Sequence, residues 1–450
     1  RNKILFTLGM LAVFRIGHWI PLPGVNQERM AEAMSKSGEG GLNQLATFIS
    51  IFSGGAFTHS TIFGLGVLPY ISASIIFQLL TTVSPKLKRL QEEGPTGRQR
   101  IMEWTRYATI GLCVVQGYGW LQFINQQNMI YDQWVSNPFW WVMGVTALTA
   151  GTVFLMWLGE QIDKYGIGNG VSMIIMAGIL TQMPNAIVKV AQDFRPSDPS
   201  APLGWLGLLS IIAGFFIVIG GAVIMTVAQR RIPVQQAKHT RGRKVFGGQK
   251  SYLPLRVNHS GVMPVVFASS LMIFPSVILG YVSNYFNSID ATSTASAVSG
   301  WVHDQLSHGQ FPYIIGEVLL IYFFSYFWIT VQFNPEEMSK QLREHGSFIP
   351  GLRPGPRTAE YLEAVMERIT YVGAAFLAAI AVLPMIISSA LGVDQMVTQF
   401  LGGTGLLIVV SVVLDFIQRV EANLLMRNYA GFLTGEDGKG PRIQSARAAY

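Results

Sequence analysis

Cysteine is nearly absent: Cys113 stands alone in an apolar run, so the chain forms no internal disulfide and no cysteine metal cluster. Its expected role is a buried, inert thiol. Charge is scarce as well. Asp, Glu, Lys and Arg together make up 13% of the residues, against 50% hydrophobic, which excludes a string of ordinary soluble domains at this length. No G-x-x-x-x-G-K-[ST] loop is present, so energy for any work must come from a partner. The histidines His18, His59, His239, His259, His303, His308 and His345 fall at span ends or in loops. That leaves no buried ligand set for a metal and no base for an intramembrane nucleophile, so neither an enzyme nor a cofactor is expected.

What the chain does have is long apolar runs. Runs of about 18 residues or more recur, the length that crosses roughly 30 Å of hydrocarbon. Ten spans are expected near 4–20, 58–83, 104–124, 139–159, 167–183, 205–228, 259–281, 312–332, 369–390 and 403–425. The first resembles a signal peptide, but Pro21-Leu-Pro and a charged loop follow it where a small-residue cleavage site would stand, so a retained span is expected. Lys and Arg placement sets the orientation. With both termini in the cytosol, 27 basic residues lie on the cytosolic side and 4 outside.

Within this frame GVLPYISAS (66–74) and GVMPVVFAS (261–269) share five of nine residues and begin 195 residues apart. One copy falls in the second span and the other in the seventh. A five-span repeat must return upside down, so the chain reads as two inverted five-helix halves, with the working site at their interface near the midplane. The phrase uses Pro to loosen a helix and Ala and Ser to let helices approach closely.

A small-solute secondary transporter with inverted repeats is the competing class. It calls for ionisable groups at midplane, and these are missing. Arg15 and Glu317 lie toward outer span ends, Glu103, Arg106, Glu160, Arg419 and Glu421 toward inner ends, and Asp415 sits four residues from Arg419 as a structural pair. The centre carries branched aliphatics. Ile71 and Ile75 are a helical turn apart, as are Ile175 and Ile179, so each pair faces one way. Such residues either form a collar that excludes water by dewetting or pack ordinarily against helices and lipid. In the long loop after the first span, Leu42, Leu45, Ile49 and Phe52 recur at helical spacing before Gly54-Gly55. That short helix either lies in the interface or folds back to stopper a cavity.

Two connections are long. Residues 229–258 carry eight basic residues and no acidic one. They suit RNA phosphates or an acidic protein surface, or act as a topology signal that also attracts anionic lipid. Residues 333–368 mix five basic with six acidic residues. A helix is expected over 335–345, and the Pro and Gly of FIPGLRPGPRTAEYL favour a rigid turn exposing Arg353.

In order along the chain, FRIGHWIPLPG, IFSGG, LPYISASII, GIGNGVSMIIMAGI, QRRIPVQQA, YLPLRVN, FNPEEM, FIPGLRPGPRTAEYL and FLGGTGLLIVV resemble the SecY family of protein-conducting translocation channels over essentially the whole length. The resemblance implies an all-α membrane protein, ten helices arranged as a clamshell around a pore. It implies a pore ring of Ile71, Ile75, Ile175, Ile179, Val266 and Ile408, with Val266 replacing the isoleucine common there. It implies a plug helix near 43–53 with Leu45, Phe48, Ile49 and Phe52, and a lateral gate between spans two and three and spans seven and eight. Thr81, Gln116 and Asn258 would form the polar cluster of that gate. Arg241, Arg243, Lys244, Arg353 and Arg357 would dock the ribosome, through its RNA, or the SecA motor ATPase. The small SecE and SecG subunits, signal sequences, nascent polypeptide and lipid are the other implied partners, in a bacterial inner membrane. The expected organisation is 1–183 for the first half, 184–258 for a hinge, sixth span and basic loop, 259–426 for the remaining spans with the loop 333–368, and 427–450 for a cytosolic tail.

Overall fold

The computed structural model describes residues 2–30, 60–126, 128–135, 137–195, 204–236, 239–241, 244–246, 250–259, 261–289, 294–306, 310–391 and 404–433. Helices dominate. In chain order they are α1 (Asn2–Gly17), α2 (Leu68–Val83), α3 (Pro85–Glu92), α4 (Pro95–Gln126), α5 (Pro138–Tyr165), α6 (Gly170–Asp193), α7 (Trp205–Val227), α8 (Met263–Ile289), α9 (Thr294–Gln305), α10 (Phe311–Gln332), α11 (Pro335–Glu344), α12 (Pro356–Leu391) and α13 (Thr404–Leu433). Five of these, α5, α6, α7, α10 and α12, are long and apolar enough on their own to cross a membrane, and α2 with α3 adds a sixth as a bent pair. Their outward faces carry exposed Leu209, Phe216 and Ile224 on α7 and Leu319 and Phe323 on α10, a surface suited to lipid.

The two halves share one packing scheme. In the first, α2 packs on α4, α4 on α5, and α1 on both α5 and α6, while α2 also touches α5. In the second, α8 packs on α10, α10 on α12, and α7 on both α12 and α13, while α8 also touches α12. Counting α1, α2, α4, α5, α6 and α7, α8, α10, α12, α13 as equivalent series, these pairings coincide. The α5–α6 contact has no second-half equivalent of similar extent among the described residues. Between the halves, α6 and α13 run in contact.

The repeated phrase starts two helices. Gly66 and Gly261 both adopt left-handed backbone, φ 58° and 65°, which glycine takes without a Cβ penalty. Two residues later α2 and α8 begin, with Pro69 and Pro264 in their first turns, where a missing N–H breaks no helical bond. The expectation that these prolines loosen a running helix is therefore corrected: they open it. The second span is shorter than expected for the same reason, since residues 61–67 form turns. Conversely, α6 runs through Pro184 to Asp193, past the expected end at 183, and α13 reaches Leu433, past the expected start of a tail.

The long connections fold together. Within 229–256, β1 (Gln229–Gln236) and β4 (Lys250–Arg256) form an antiparallel ribbon, and β2 (His239–Arg241) pairs antiparallel with β3 (Lys244–Phe246) in a separate two-stranded sheet. β1 also pairs with β5 (Ser347–Phe348) through Gln235 and Gln236. Pro233 lies on the stretch of β1 that has β4 on one side only, where a strand tolerates proline. α11 forms as expected, its N-cap Asn334 accepting the Glu337 N–H at 3.3 Å.

α5 and α6 cross closely enough that a Cβ on Gly170 would collide with the Gly159 carbonyl. Gly170→Leu is expected to destabilise the protein by about 1–3 kcal/mol through overpacking, read as a lower melting temperature in detergent. Gly111→Ala, at an exposed helical position with open space, should not lower it, since alanine is the better helix former. Equal melting of the two variants would contradict the close crossing.

Candidate functional site

Five of the six expected ring residues converge. Ile175, Ile179, Ala186, Val266 and Ile408 form one buried aliphatic cluster, with Leu68, Ile71, Val171, Val262, Val409 and Val412 packed against it. The side chains come from α2 and α6 of one half and α8 and α13 of the other, the same two members of each series. Ile71 and Val266 occupy the same sixth place in the repeated phrase. Ile75, a turn beyond Ile71, is half-buried and stands outside the cluster. The additional members were not singled out from sequence, yet a signal exists. Val171 precedes Ile175 by four, Val262 precedes Val266 by four and Val412 follows Ile408 by four, so each extends the stripe by a turn.

Lipid gives apolar helices little hydrophobic reason to associate, so the aliphatic side chains of such a seam contribute mainly van der Waals contact, about 0.1–0.2 kcal/mol for each atom pair. The seam can exclude water while remaining separable. On α6, Gln182 lies between the cluster members Ile179 and Ala186, is buried, and accepts the Asn185 side-chain N–H at 3.2 Å, so one polar pair borders the aliphatic zone.

The stretch holding Leu45, Phe48, Ile49 and Phe52 lies outside the described residues. Its two flanks are pinned to each other: the Leu22 N–H donates to the Ser60 carbonyl at 2.8 Å and the Ile62 N–H to the Ile20 carbonyl at 3.1 Å. Trp140 donates to the Pro23 carbonyl and Trp120 to the Ser60 hydroxyl, both at 3.1 Å. These residues sit on a core with Leu22, Val25, Leu121, Ile124 and Leu148.

Thr81, Gln116 and Asn258 lie on α2, on α4 and just after β4. Thr81 is buried and donates to the Gln78 carbonyl of its own helix at 2.7 Å. Gln116 is half-buried. The Asn258 backbone approaches Gly373 of α12. Asp415 accepts from Arg419 at 2.8 Å, the expected structural pair, and Arg106 meets Glu160 at 2.7 Å across α4 and α5.

The basic residues of β1, β4 and the 349–357 turn sit on a common platform. Ile232, Val234 and Leu255 of the sheet bury against Phe333, Ile349, Leu362, Val365, Met366 and Ile369. Each such side chain removed from water contributes about 1.5–3 kcal/mol. Strand alternation turns Arg231 outward beside Ile232 and Arg256 outward beside Leu255. The turn 349–355 is held by Leu352 N–H to Ile349, Thr358 Oγ1 to Arg353 and Ser339 Oγ to Gly355, leaving Arg353 and Arg357 exposed. Arg241 pairs with Lys244 in the β2–β3 sheet, and Arg243 lies outside the described residues. The ribbon itself was not anticipated. Its signal was the apolar alternation Ile232-Pro-Val234 and Leu253-Pro-Leu255.

A lipid-faced helical bundle with two like-packed halves, an aliphatic seam between them and a folded basic platform defines a multi-pass membrane channel subunit. The family model described as SecY matches residues 61–417. Protein translocase subunit SecY of Chlamydia muridarum is 41% identical over 98% of this chain and 97% of its own length. That of Pseudomonas aeruginosa is 39% identical over 97% of this chain and 94% of its own length. A solved structure described as a protein conducting channel covers 96% of this chain and 93% of its own at a TM-score of 0.57 and 18% identity. Sec61 from a canine ribosome–channel complex covers 96% of this chain and 93% of its own at 0.56 and 18%.

The chain belongs to the SecY family. It is a bacterial multi-pass membrane protein, a channel subunit of a protein translocase and not an enzyme.

Proposed function

We propose that unfolded secretory polypeptides cross between the two halves through the aliphatic seam, with Ile71, Ile75, Ile175, Ile179, Val266 and Ile408 as the ring that seals it at rest. The observation that carries this reading is the single cluster drawn from α2, α6, α8 and α13. Greasy side chains seal against ions but offer no fixed polar partner to a passing chain, so any sequence slides through. The segment near 43–53, tethered by the pinned flanks at Leu22 and Ser60, is the plug. A sufficiently apolar segment leaves sideways between α2 and α4 and α8 and α10. That exit is a partitioning step, in which a central charge costs about 2.5–3.5 kcal/mol on insertion scales. Thr81, Gln116 and Asn258 set its threshold.

The excess of basic residues supports a cytosolic platform with both termini on the same side. There Arg241, Arg243, Lys244, Arg353 and Arg357 receive the SecA motor or ribosomal RNA. Support comes from the fused architecture: both loops share one core, so force applied at Arg353 reaches α12 directly. SecE and SecG brace the assembly in the bilayer.

Ile408→Asn, which adds an amide to the seam, is expected to raise resting ion conductance of the reconstituted channel in a planar bilayer. Currents as low as the parent's would contradict the ring. Arg353→Glu is expected to reduce motor-driven translocation into vesicles by about tenfold, the loss of one or two charge-assisted contacts, with an unchanged melting temperature. Undiminished translocation would contradict the docking assignment.

A further inference from the structure

Glu317 on α10 is fully buried, with no exposed surface. Its Oε1 accepts the Ser269 hydroxyl of α8 at 2.8 Å. Its Oε2 has no hydrogen-bond partner among the described residues. The surroundings are apolar and tight: Met272, Tyr313 and Met385 pack together here, and a Cβ on Gly316 would press on Met272. A buried carboxyl with one oxygen unsatisfied is a poor way to gain stability, because an apolar side chain of similar volume is usually as good or better. Its contribution here is direction. An aliphatic contact lets one helix rotate or slide on another, whereas a hydrogen bond fixes both.

Ser269 closes the second copy of the repeated phrase, whose sixth residue is Val266. The two are three residues apart on α8, so they move together. The stretch of α8 that carries them lies between Pro264 and Pro275. Proline withholds a helical hydrogen bond, which weakens the rod at Pro275, the one inside the helix. A directional contact in the middle therefore decides where this stretch sits.

We propose that the Glu317–Ser269 hydrogen bond positions α8 against α10 and thereby holds Val266 in the aliphatic seam, making Glu317 a positioning residue of the channel. This rests on the seam being the closure of the pore.

The test is resting conductance of the reconstituted translocase in planar bilayers, without motor or signal sequence, with Ile408→Asn alongside as a reference. Glu317→Leu should raise the leak about tenfold, the shift in a closed–open balance from losing one interhelical hydrogen bond. Ser269→Ala should leak in the same direction, and Ser269→Ala/Glu317→Leu no more than the leakier single variant. Glu317→Gln keeps an acceptor for Ser269 and should restore the seal to within about twofold. A tight Glu317→Leu beside a leaking Ile408→Asn overturns the proposal and leaves the ring intact. A leaking Glu317→Gln also overturns it, because the effect would then lie outside the hydrogen bond. If Ile408→Asn is tight as well, the seam reading fails and the proposal with it. Should Glu317→Leu not fold, a sealed Ser269→Ala overturns the proposal on its own.

Discussion

Two apolar surfaces that meet inside a membrane gain little from hiding from the solvent, because the solvent there is as apolar as they are. The contact among Ile71, Ile175, Ile179, Val266 and Ile408 is governed by that fact. It is a packed apolar contact, and it lacks the large free energy that makes a soluble core permanent. Most other features of the chain can be understood as holding those few side chains at the right depth. The like-packed halves each contribute α2 or α8 to the cluster, and α6 and α13 supply the rest along the line where the halves touch.

The platform obeys the opposite rule. Ile232, Val234, Leu255, Leu362 and Met366 are buried, so this part has a hydrophobic core of its own. Since β5 pairs with β1 and the core reaches Ile369 of α12, the two connections form one lever rather than two loose loops. A folded handle joined to a weakly held seam is the mechanical arrangement expected of a channel that something else opens.

Much of this was legible in the residues. The repeated phrase located α2 and α8 as corresponding helices, but the expectation that its Pro loosens a running helix was wrong: positive φ at its Gly and a missing N–H at its Pro suit a helix start. Spans were legible as apolar length, and α11 as Asn334 followed by Pro and Glu. What escaped notice had a physical reason. The start of α2 at Leu68 instead of 58 was hidden because hydropathy does not distinguish apolar turn from apolar helix. The ribbon 229–256 was hidden by its charge and its prolines, which mask a short alternation of Ile232, Val234, Leu253 and Leu255. α9 sits in a polar connection with no strong periodicity. The Glu317–Ser269 bond required knowing which faces of α8 and α10 meet, and no spacing within one helix encodes that.

The central claim is that the polypeptide path runs through the seam between the halves. A photo-reactive side chain placed singly at 71, 179, 266 or 408, and as controls at the exposed positions 217 and 319, tests it directly with a secretory chain stalled midway. The account predicts adducts to the stalled chain from the first four positions and adducts to lipid from the two controls. Lipid adducts from 71, 179, 266 and 408, or equal capture of the stalled chain at 217 and 319, would contradict it.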